Sequence, residues 1–276
     1  MKTAMKPAVK SAIGIVLFAA VVFLGIWIGE NSNILGEGGT EDRVSDDVNW
    51  GYSGEGAPEN WGNLSDKYSE CSEGREQSPI DIDTNTVDSE GDAPGLLFAY
   101  KDEEIHSTNT GMFVKVKYDE KSSHIVIDER EYNLIEIHPH TPSEHTIDGE
   151  SFPMEMHLVH RALGGQLAVV GVMFRLGETH PAVQHFIDAV PINSGDDYFP
   201  SEHFNAADLL PTGNFHYGYD GSLTTPPCSE GVKWQVMSEI QEVSQEQVDK
   251  ISSLTGNIKN NRPVQPLGDR TVTFSR

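Results

Sequence analysis

Apolar and polar residues alternate in short runs over most of the chain from residue 96 onward, a pattern typical of strands that bury one face. The runs are residues 113–117, 124–127, 132–138, 154–160 and 166–176. The last run is apolar enough for a central strand that is buried on both faces. Turn-forming sequences such as Asp148-Gly149-Glu150 and Gly164-Gly165 separate the runs. The pattern predicts a large, twisted, mostly antiparallel β-sheet.

Helical patterns are few and short. Thr179 is expected to cap a helix over residues 181–190, which has Pro181 at its start and apolar residues on one face. Ser244 and Gln247 fit a capping box, and apolar residues follow at helical spacing. We therefore expect a single α+β, mainly β domain over residues 50–276, with small helices at the periphery of the sheet.

The N-terminal segment, residues 1–29, has a different pattern. Three lysines precede residues 11–29, which are apolar and carry no charge. At about 1.5 Å per residue this run approaches the roughly 30 Å hydrocarbon core of a bilayer. The lysines favour a cytoplasmic N-terminus and an exported domain. A retained membrane anchor is favoured over a cleaved signal peptide, whose apolar region is usually shorter. Residues 30–49 are polar, acidic and glycine-containing, which is typical of a flexible linker.

Charge and cysteine content narrow the function classes. The chain has 19 Lys and Arg against 43 Asp and Glu, a net charge of −24, which argues against a nucleic-acid partner. An acidic surface suits a salty or extracellular medium. The two cysteines, Cys71 and Cys228, are too few for a Cys-rich zinc module or an iron–sulfur protein. In an oxidising compartment they are expected to pair, and two buried free thiols are the alternative.

Candidate chemistry lies in a cluster of histidines on two predicted strands. His138 and His140 are two residues apart, so on a strand their side chains share a face. His157 lies on a later predicted strand and meets them if the two strands pair antiparallel. Three neutral imidazoles are a ligand set of catalytic zinc sites that keep a fourth position open. The alternative is that the histidines are surface residues, which is the common case for an isolated His-x-His pair.

Two carboxylates strengthen the metal interpretation. Glu155 is two residues from His157 and is placed to accept a hydrogen bond from Nδ1 of that ring, and Glu136 stands in the same relation to His138. Carboxylates of this kind fix the tautomer of metal-binding histidines and raise their basicity. The other histidines, including His145 and His160, are interpreted as structural or surface residues.

These residues resemble the zinc segment of the α-class carbonic anhydrases in its bacterial form. The matching stretches are residues 138–145 (HPHTPSEH) and 155–160 (EMHLVH). Further stretches agree in order and spacing: Trp50-Gly51-Tyr52 with Trp61, residues 77–82 (QSPIDI), residues 221–227 (GSLTTPP) and residues 261–267 (NRPVQPL). The resemblance spans roughly residues 50–275, nearly the whole predicted domain.

The resemblance implies reversible hydration of CO2 to bicarbonate and a proton, by attack of a zinc-bound hydroxide. His138, His140 and His157 would bind the Zn²⁺. Thr224 would hydrogen-bond the hydroxide and pass its own proton to Glu144, and Thr225 would line the same pocket. The resemblance also implies an apolar CO2 pocket formed by Val159, Val169, Leu223, Val232 and Trp234. Cys71 and Cys228 match the disulfide of the exported members of the family.

The chain departs from the family at two positions. The fast members often carry a histidine proton shuttle directly after an Asn-x-Gly stretch. Here Asn109-Thr110-Gly111 is followed by Met112, which cannot carry a proton. Glu136 stands where many members have Gln, so His138 is expected to have an anionic partner.

Two other functions remain as alternatives. Some members of the family have lost the zinc ligands and act as non-catalytic binding modules, but the three histidines, Thr224 and Glu144 are all present here. A zinc esterase is a plausible side activity, although no substrate-anchoring cluster accompanies the apolar pocket. The expected partners are CO2 and bicarbonate, a membrane through the N-terminal segment, and no nucleic acid.

Overall fold

The structure is a computed structural model, and it describes residues 49–88, 95–119, 122–198 and 203–275. The described residues belong to one compact unit, Ser45–Arg276. The predicted membrane segment and all of the predicted linker except Asn49 lie outside the described residues, so both stay predictions. Within the described ranges, no helix has the length and apolarity needed to cross a bilayer.

Strands dominate the described residues. They are Asp81–Ile82 (β1), Leu96–Ala99 (β2), Asp102–Glu104 (β3), His106–Asn109 (β4), Val114–Lys117 (β5), His124–Ile127 (β6), Arg130–His140 (β7), Thr146–Ile147 (β8), Glu150–Ser151 (β9), Met154–Ala162 (β10), Leu167–Leu176 (β11), Asp197–Tyr198 (β12), His203–Asn205 (β13), His216–Ser222 (β14), Glu230–Met237 (β15), Gln241–Val243 (β16) and Thr273–Ser275 (β17). The α-helices are Trp61–Leu64 (α1), Glu70–Glu73 (α2), Pro181–Asp188 (α3) and Gln245–Leu254 (α4).

One large sheet organises these strands. It has 12 strands in the order β12-β4-β5-β7-β10-β11-β15-β14-β17, with β16 beside β11 and β2-β6 beside β7. All its pairs are antiparallel except β11 with β15 and β11 with β16, which are parallel. The prediction of a mainly β fold around a large, mostly antiparallel sheet is therefore confirmed.

Two short helices, α3 and α4, pack against this sheet and help to form its core. Phe186 of α3 and Ile251 of α4 belong to one buried apolar cluster with side chains of β7 and β10. The predicted capping box of α4 is present. The predicted cap of α3 at Thr179 is wrong, because His180 is the N-cap residue and accepts a hydrogen bond from the amide of Val183. The proline at position 181 favours extended backbone in the residue before it, which moves the cap to His180.

The predicted pairing of the two cysteines is confirmed. Cys71 of α2 and Cys228 form a disulfide across a sequence separation of 157 residues. Closing a loop of this length stabilises a fold by roughly 5 kcal/mol in the chain-entropy model. Cys228 also donates its amide hydrogen to the carbonyl of Thr225 at 2.9 Å. The disulfide therefore fastens the loop between β14 and β15 to the N-terminal part of the domain.

Candidate metal centre

Three imidazoles meet because β7 and β10 pair in one particular antiparallel register. His138 and His140 share a face of β7, and His157 of β10 is directly opposite His138. The centroids of the three rings are 4.5 to 5.4 Å apart. One nitrogen from each ring lies within 4.8 Å of the nitrogens of the other two. The structure thus brings together the three histidines that the sequence indicates.

The second nitrogen of each β7 ring already has a neighbour. Nδ1 of His138 lies 3.0 Å from Oε1 of Glu136, as expected from their spacing on the strand. Nδ1 of His140 lies 2.6 Å from the backbone carbonyl of Asn260 and donates to it. Asn260 is 120 residues away in sequence and was missed by the sequence analysis. In both rings Nε2 is the nitrogen left for a metal.

The ring of His157 is held through its Nε2 atom, whereas the two β7 rings are held through Nδ1. Glu155 accepts from its Nε2 at 2.9 Å, so the prediction that Glu155 accepts from Nδ1 is wrong. The reason is the position of the carboxylate, whose other oxygen accepts the backbone amides of Glu144 and His145, both at 2.9 Å. These amides hold Glu155 beyond the far end of the ring. Nδ1 of His157 is then the nitrogen that faces the other two imidazoles.

Glu155 is the most heavily hydrogen-bonded carboxylate of the site. Besides the two amides, Oε1 accepts from Nδ1 of His145 at 2.8 Å, and the residue is 0% exposed. Burial raises the pKa of Glu155, but the charges and hydrogen bonds of His145 and His157 outweigh burial and hold its pKa well below the ordinary value. The site therefore contains a buried, ionised group that fixes the orientation of His157.

His145 contributes more to the site than the sequence analysis predicted. It is 0% exposed, and its Nε2 lies 2.7 Å from the hydroxyl of Tyr219, which lies 2.9 Å from Oγ of Ser78. A chain of hydrogen bonds thus runs from Ser78 through Tyr219, His145 and Glu155 to the metal-facing ring of His157. The only sequence signal for His145 is its place directly after Glu144 in the matching segment.

The protonation states of the rings suit metal binding. Burial lowers the pKa of His138 to about 4 although Glu136 opposes the shift, and burial lowers the pKa of His140 well below its ordinary value. These imidazoles are therefore neutral near pH 7, as ligation requires. Nε2 of His140 is buried and has no hydrogen-bond partner in the part of the chain that the structure describes, so it has a lone pair that a cation would satisfy. Three imidazole nitrogens that lie close together, with carboxylates and a carbonyl behind the rings, fit zinc.

Glu144 lies beside the metal-facing nitrogens. Its Oε2 is 3.5 Å from Nε2 of His140 and 3.8 Å from Nδ1 of His157. Its Oε1 accepts the backbone amide of Arg262 at 2.8 Å. Burial raises the pKa of Glu144, while hydrogen bonds from the Arg262 amide and the Thr224 side chain act in the opposite direction. A cation held by the imidazoles would also favour the carboxylate form.

Arg262 connects the distant segments that surround the site. Its guanidinium donates to the side chain of Gln77 at 2.9 Å, to the carbonyl of Ser78 at 2.8 Å and to the carbonyl of Cys71 at 2.9 Å. The residue is 2% exposed, so these bonds are shielded from water. Arg262 therefore fixes the backbone amide that holds Glu144.

Thr224 and Thr225 reach the site from the loop between β14 and β15. The loop is closed by a hydrogen bond from the amide of Leu223 to the carbonyl of Ser229 at 3.0 Å, and by the bond from Cys228 to Thr225. Both threonines line the cavity in front of the histidines, and Thr224 is buried at 7% exposure.

An apolar wall stands beside the imidazoles in the same sheet. Val159 of β10 pairs with Val169 of β11, and Val169 pairs with Trp234 of β15. This row is two residues from the row that contains His157, so both rows lie on one face. The cavity in front of them has a volume of about 300 Å³. It is lined by the three wall residues, Leu223, the two threonines, Trp50, Thr110, Met112, Phe113, Lys115, Glu136, His138 and His157.

Two further positions predicted from the sequence, Val232 and Met112, differ in whether they line the cavity. Val232 is buried at 2% exposure and pairs with Gly221 of β14, but it is not among the residues that line the cavity. Met112, the residue expected to replace a proton-carrying histidine, does line the cavity. The titratable residues of the lining are Lys115, Glu136, His138 and His157. Of these, the two histidines belong to the candidate metal centre.

The chain is similar to carbonic anhydrases in three kinds of comparison. A family model described as eukaryotic-type carbonic anhydrase matches residues 56–276. A carbonic anhydrase of Neisseria gonorrhoeae is 39% identical over 225 residues, which cover 82% of this chain and 87% of the relative. A carbonic anhydrase of Nostoc sp. is 41% identical over 228 residues, covering 82% of this chain and 85% of the relative. The structure of an α-carbonic anhydrase from Thermovibrio ammonificans with the inhibitor sulfanilamide matches with a TM-score of 0.78 at 39% identity, covering 82% of this chain and 99% of that one.

The position of Gly171 yields a test of how tightly Glu155 must be held. Gly171 of β11 is opposite His157, and a Cβ atom there would lie 2.9 Å from Oε1 of Glu155. Because four hydrogen bonds fix this carboxylate, it cannot move away cheaply. We expect Gly171→Ala to lower the free energy of unfolding by about 1–3 kcal/mol, measured in urea, and to speed zinc loss to a chelator.

The matched control is Gly95→Ala, where an added Cβ meets no atom of the described residues within 4 Å. If Gly171→Ala unfolds and releases zinc as the control does, Glu155 is not held as rigidly as its hydrogen bonds indicate.

Proposed function

Because the chain belongs to the eukaryotic-type, or α, carbonic anhydrase family and catalyses the reversible hydration of CO2, we propose that His138, His140 and His157 hold its catalytic zinc ion. The observation that supports this assignment is the convergence of three metal-competent nitrogens within 4.8 Å, beside an apolar wall. α-Carbonic anhydrases use zinc. The retention of the three histidines, Glu144 and Thr224 in one site also argues against a non-catalytic binding module.

Zinc, when bound, acts as a Lewis acid that lowers the pKa of a coordinated water to about 7. The chain's own residues then orient the reaction. The hydroxyl group of Thr224 donates a hydrogen bond to Glu144. Its oxygen can then act only as an acceptor, and it accepts a hydrogen bond from the attacking oxygen. That acceptance turns a lone pair of the attacking oxygen toward the substrate. Arg262 keeps Glu144 in place for this purpose through the amide contact of 2.8 Å.

The apolar wall holds the substrate. CO2 has no hydrogen-bond donor and little polarity, so a wall of Val159, Val169 and Trp234 binds it weakly without offering competing ligands. The indole Nε1 of Trp234 donates to the carbonyl of Ser222 at 2.9 Å, which fixes the ring and leaves its carbon surface to the pocket. Bicarbonate, which is charged and hydrated, is disfavoured in the same place and leaves.

The test of this assignment is metal analysis with stopped-flow CO2 hydration on the purified chain. We expect one zinc per chain. We expect His140→Ala to lose the zinc and to slow hydration by more than about 100-fold, because losing a residue that only supports a ligand already costs up to about 100-fold. His203→Ala is the control, because His203 is an exposed histidine of β13 outside the site. A His140→Ala variant that keeps its zinc and its rate would refute the ligand assignment.

Proton release is the second testable part of the proposal. Met112 lines the cavity where a shuttle histidine would stand, so we propose that protons leave through buffer. Imidazole is expected to accelerate turnover of the unmodified chain. Met112→His is expected to raise the rate in dilute buffer on the order of tenfold, because a positioned base adds general acid–base catalysis. Met112→Leu serves as the control, and hydration rates that respond neither to imidazole nor to Met112→His would contradict the proposal.

We further propose that the domain works outside the cytoplasm, tethered by residues 11–29. The support is the uncharged apolar run after three lysines, together with a disulfide between Cys71 and Cys228, which persists in oxidising compartments.

In its host this chain is expected to sediment with membranes until detergent is added, and to be digested by protease added to cells with an opened outer envelope. Its cysteines should react with maleimide only after reduction. A variant that lacks residues 1–29 should stay inside the cell with reactive thiols. Recovery of the full chain as a protease-protected, thiol-reactive protein would overturn the proposed location.

A further inference from the structure

One oxygen atom of Glu136 is shared between a candidate zinc ligand and a lysine. Oε1 of Glu136 lies 3.0 Å from Nδ1 of His138 and 2.9 Å from Nζ of Lys115. The carboxylate therefore lies between an imidazole and an ammonium group. The sequence analysis identified Glu136 as a departure from the family's Gln but did not identify Lys115.

The register between β5 and β7 places two lysines of β5 near Glu136. Strand β5 pairs with β7 so that Val116 is opposite Ile137 and Lys117 is opposite Glu136. Lys115 and Lys117 share one face of β5, and Lys117 is directly across from the carboxylate. The contact is nevertheless made diagonally by Lys115, which the same register places opposite His138, two residues along β7 from Glu136.

Lys115 is also held from its other side. Its Nζ lies 5.5 Å from the centroid of the Phe113 ring, a cation–π distance. The same ring packs against His138 at 5.9 Å and His140 at 5.7 Å between centroids. Lys115 is thus bound both to the carboxylate behind His138 and to the aromatic ring that covers two of the imidazoles.

The need for a partner follows from the exposure of the carboxylate. The side chain of Glu136 is 22% exposed and that of Lys115 is 25% exposed, so water reaches both. An ionised carboxylate at such a place gains by turning toward water, which would withdraw it from His138. A Gln side chain at this position has no net charge and a weaker pull toward solvent. The ammonium group of Lys115 contacts the same oxygen of Glu136 that faces His138. The carboxylate therefore no longer gains by turning toward water.

We propose that Lys115 is a positioning residue, which holds the Glu136 carboxylate against Nδ1 of His138 and cancels its charge. The Lys115–Glu136 pair then performs as a unit the task of one neutral amide. This inference rests on the proposed function, in that His138 binds zinc. It adds that the effect of Lys115 on the metal is transmitted through Glu136.

The test is a double-mutant cycle read as the rate of zinc release to a chromophoric chelator, with Lys115→Met, Glu136→Gln and the double variant. Losing a group behind a zinc ligand costs about 10–100-fold in affinity, and Lys115 acts one contact further away. We therefore expect Lys115→Met to release zinc about 3–10-fold faster than the unmodified chain. In the Glu136→Gln background the same substitution should change the rate less than about twofold.

Two further variants separate positioning from loss of structure. Lys117→Met removes a lysine from the same face of the same strand and should leave zinc release unchanged. Lys115→Arg keeps the positive charge, and a guanidinium also pairs with carboxylates and stacks on aromatic rings such as that of Phe113. This variant should release zinc within about twofold of the rate of the unmodified chain.

The inference is overturned if Lys115→Met releases zinc at the unmodified rate, if it acts equally in both backgrounds, or if Lys115→Arg fails to restore the rate. A failure of the proposed function has a different signature, because the unmodified chain would then bind no stoichiometric zinc. The cycle therefore decides the role of Lys115 only for a chain whose zinc content has already been measured.

Discussion

The site depends on the register between β7 and β10. Side chains alternate along a strand, so a slip of one residue would turn His157 to the opposite face from His138 and His140. The register that places His157 opposite His138 also places Val159 in the next row on the same face. The same strand pairing thus positions both parts of the site, the histidines that would bind a metal and the apolar wall for CO2. The ladder shifts only after Val159, where the cavity residues of β10 end.

Burial in this region would be costly without a full set of partners. An unpaired buried carboxylate costs several kcal/mol, yet Glu155 is 0% exposed. It is tolerated because four donors surround it, two of them backbone amides that cannot be lost by substitution. The same burial keeps His138 and His140 neutral. Desolvation therefore has two effects: it makes the imidazoles of His138 and His140 good ligands, and it strengthens the hydrogen bonds of the Glu155 carboxylate behind His157.

Local pattern was sufficient for part of this structure. Alternation predicted the strands, and the spacing of His138, His140 and His157 indicated that they could converge, because both features depend on period-two geometry alone. Asn260 and Arg262 could not be assigned their contacts in this way, since each acts across more than a hundred residues through a backbone group or a guanidinium. The pattern also could not predict which nitrogen of His157 contacts Glu155, because backbone amides of a loop fix the position of that carboxylate.

The departures from the family lie where physical cost is lowest. Met112 and Glu136 both line the cavity, and the side chain of Glu136 is 22% exposed, so that partial contact with water reduces the penalty of an imperfect contact. The buried contacts of Glu155 and Arg262 have no such freedom, because any unpaired group there is shut off from water. A charge introduced at the rim still has to be balanced locally, even in a chain with a net charge of −24, since a remote lysine is screened by salt. An ammonium in contact with the carboxylate meets that requirement, whereas the average charge of the surface cannot.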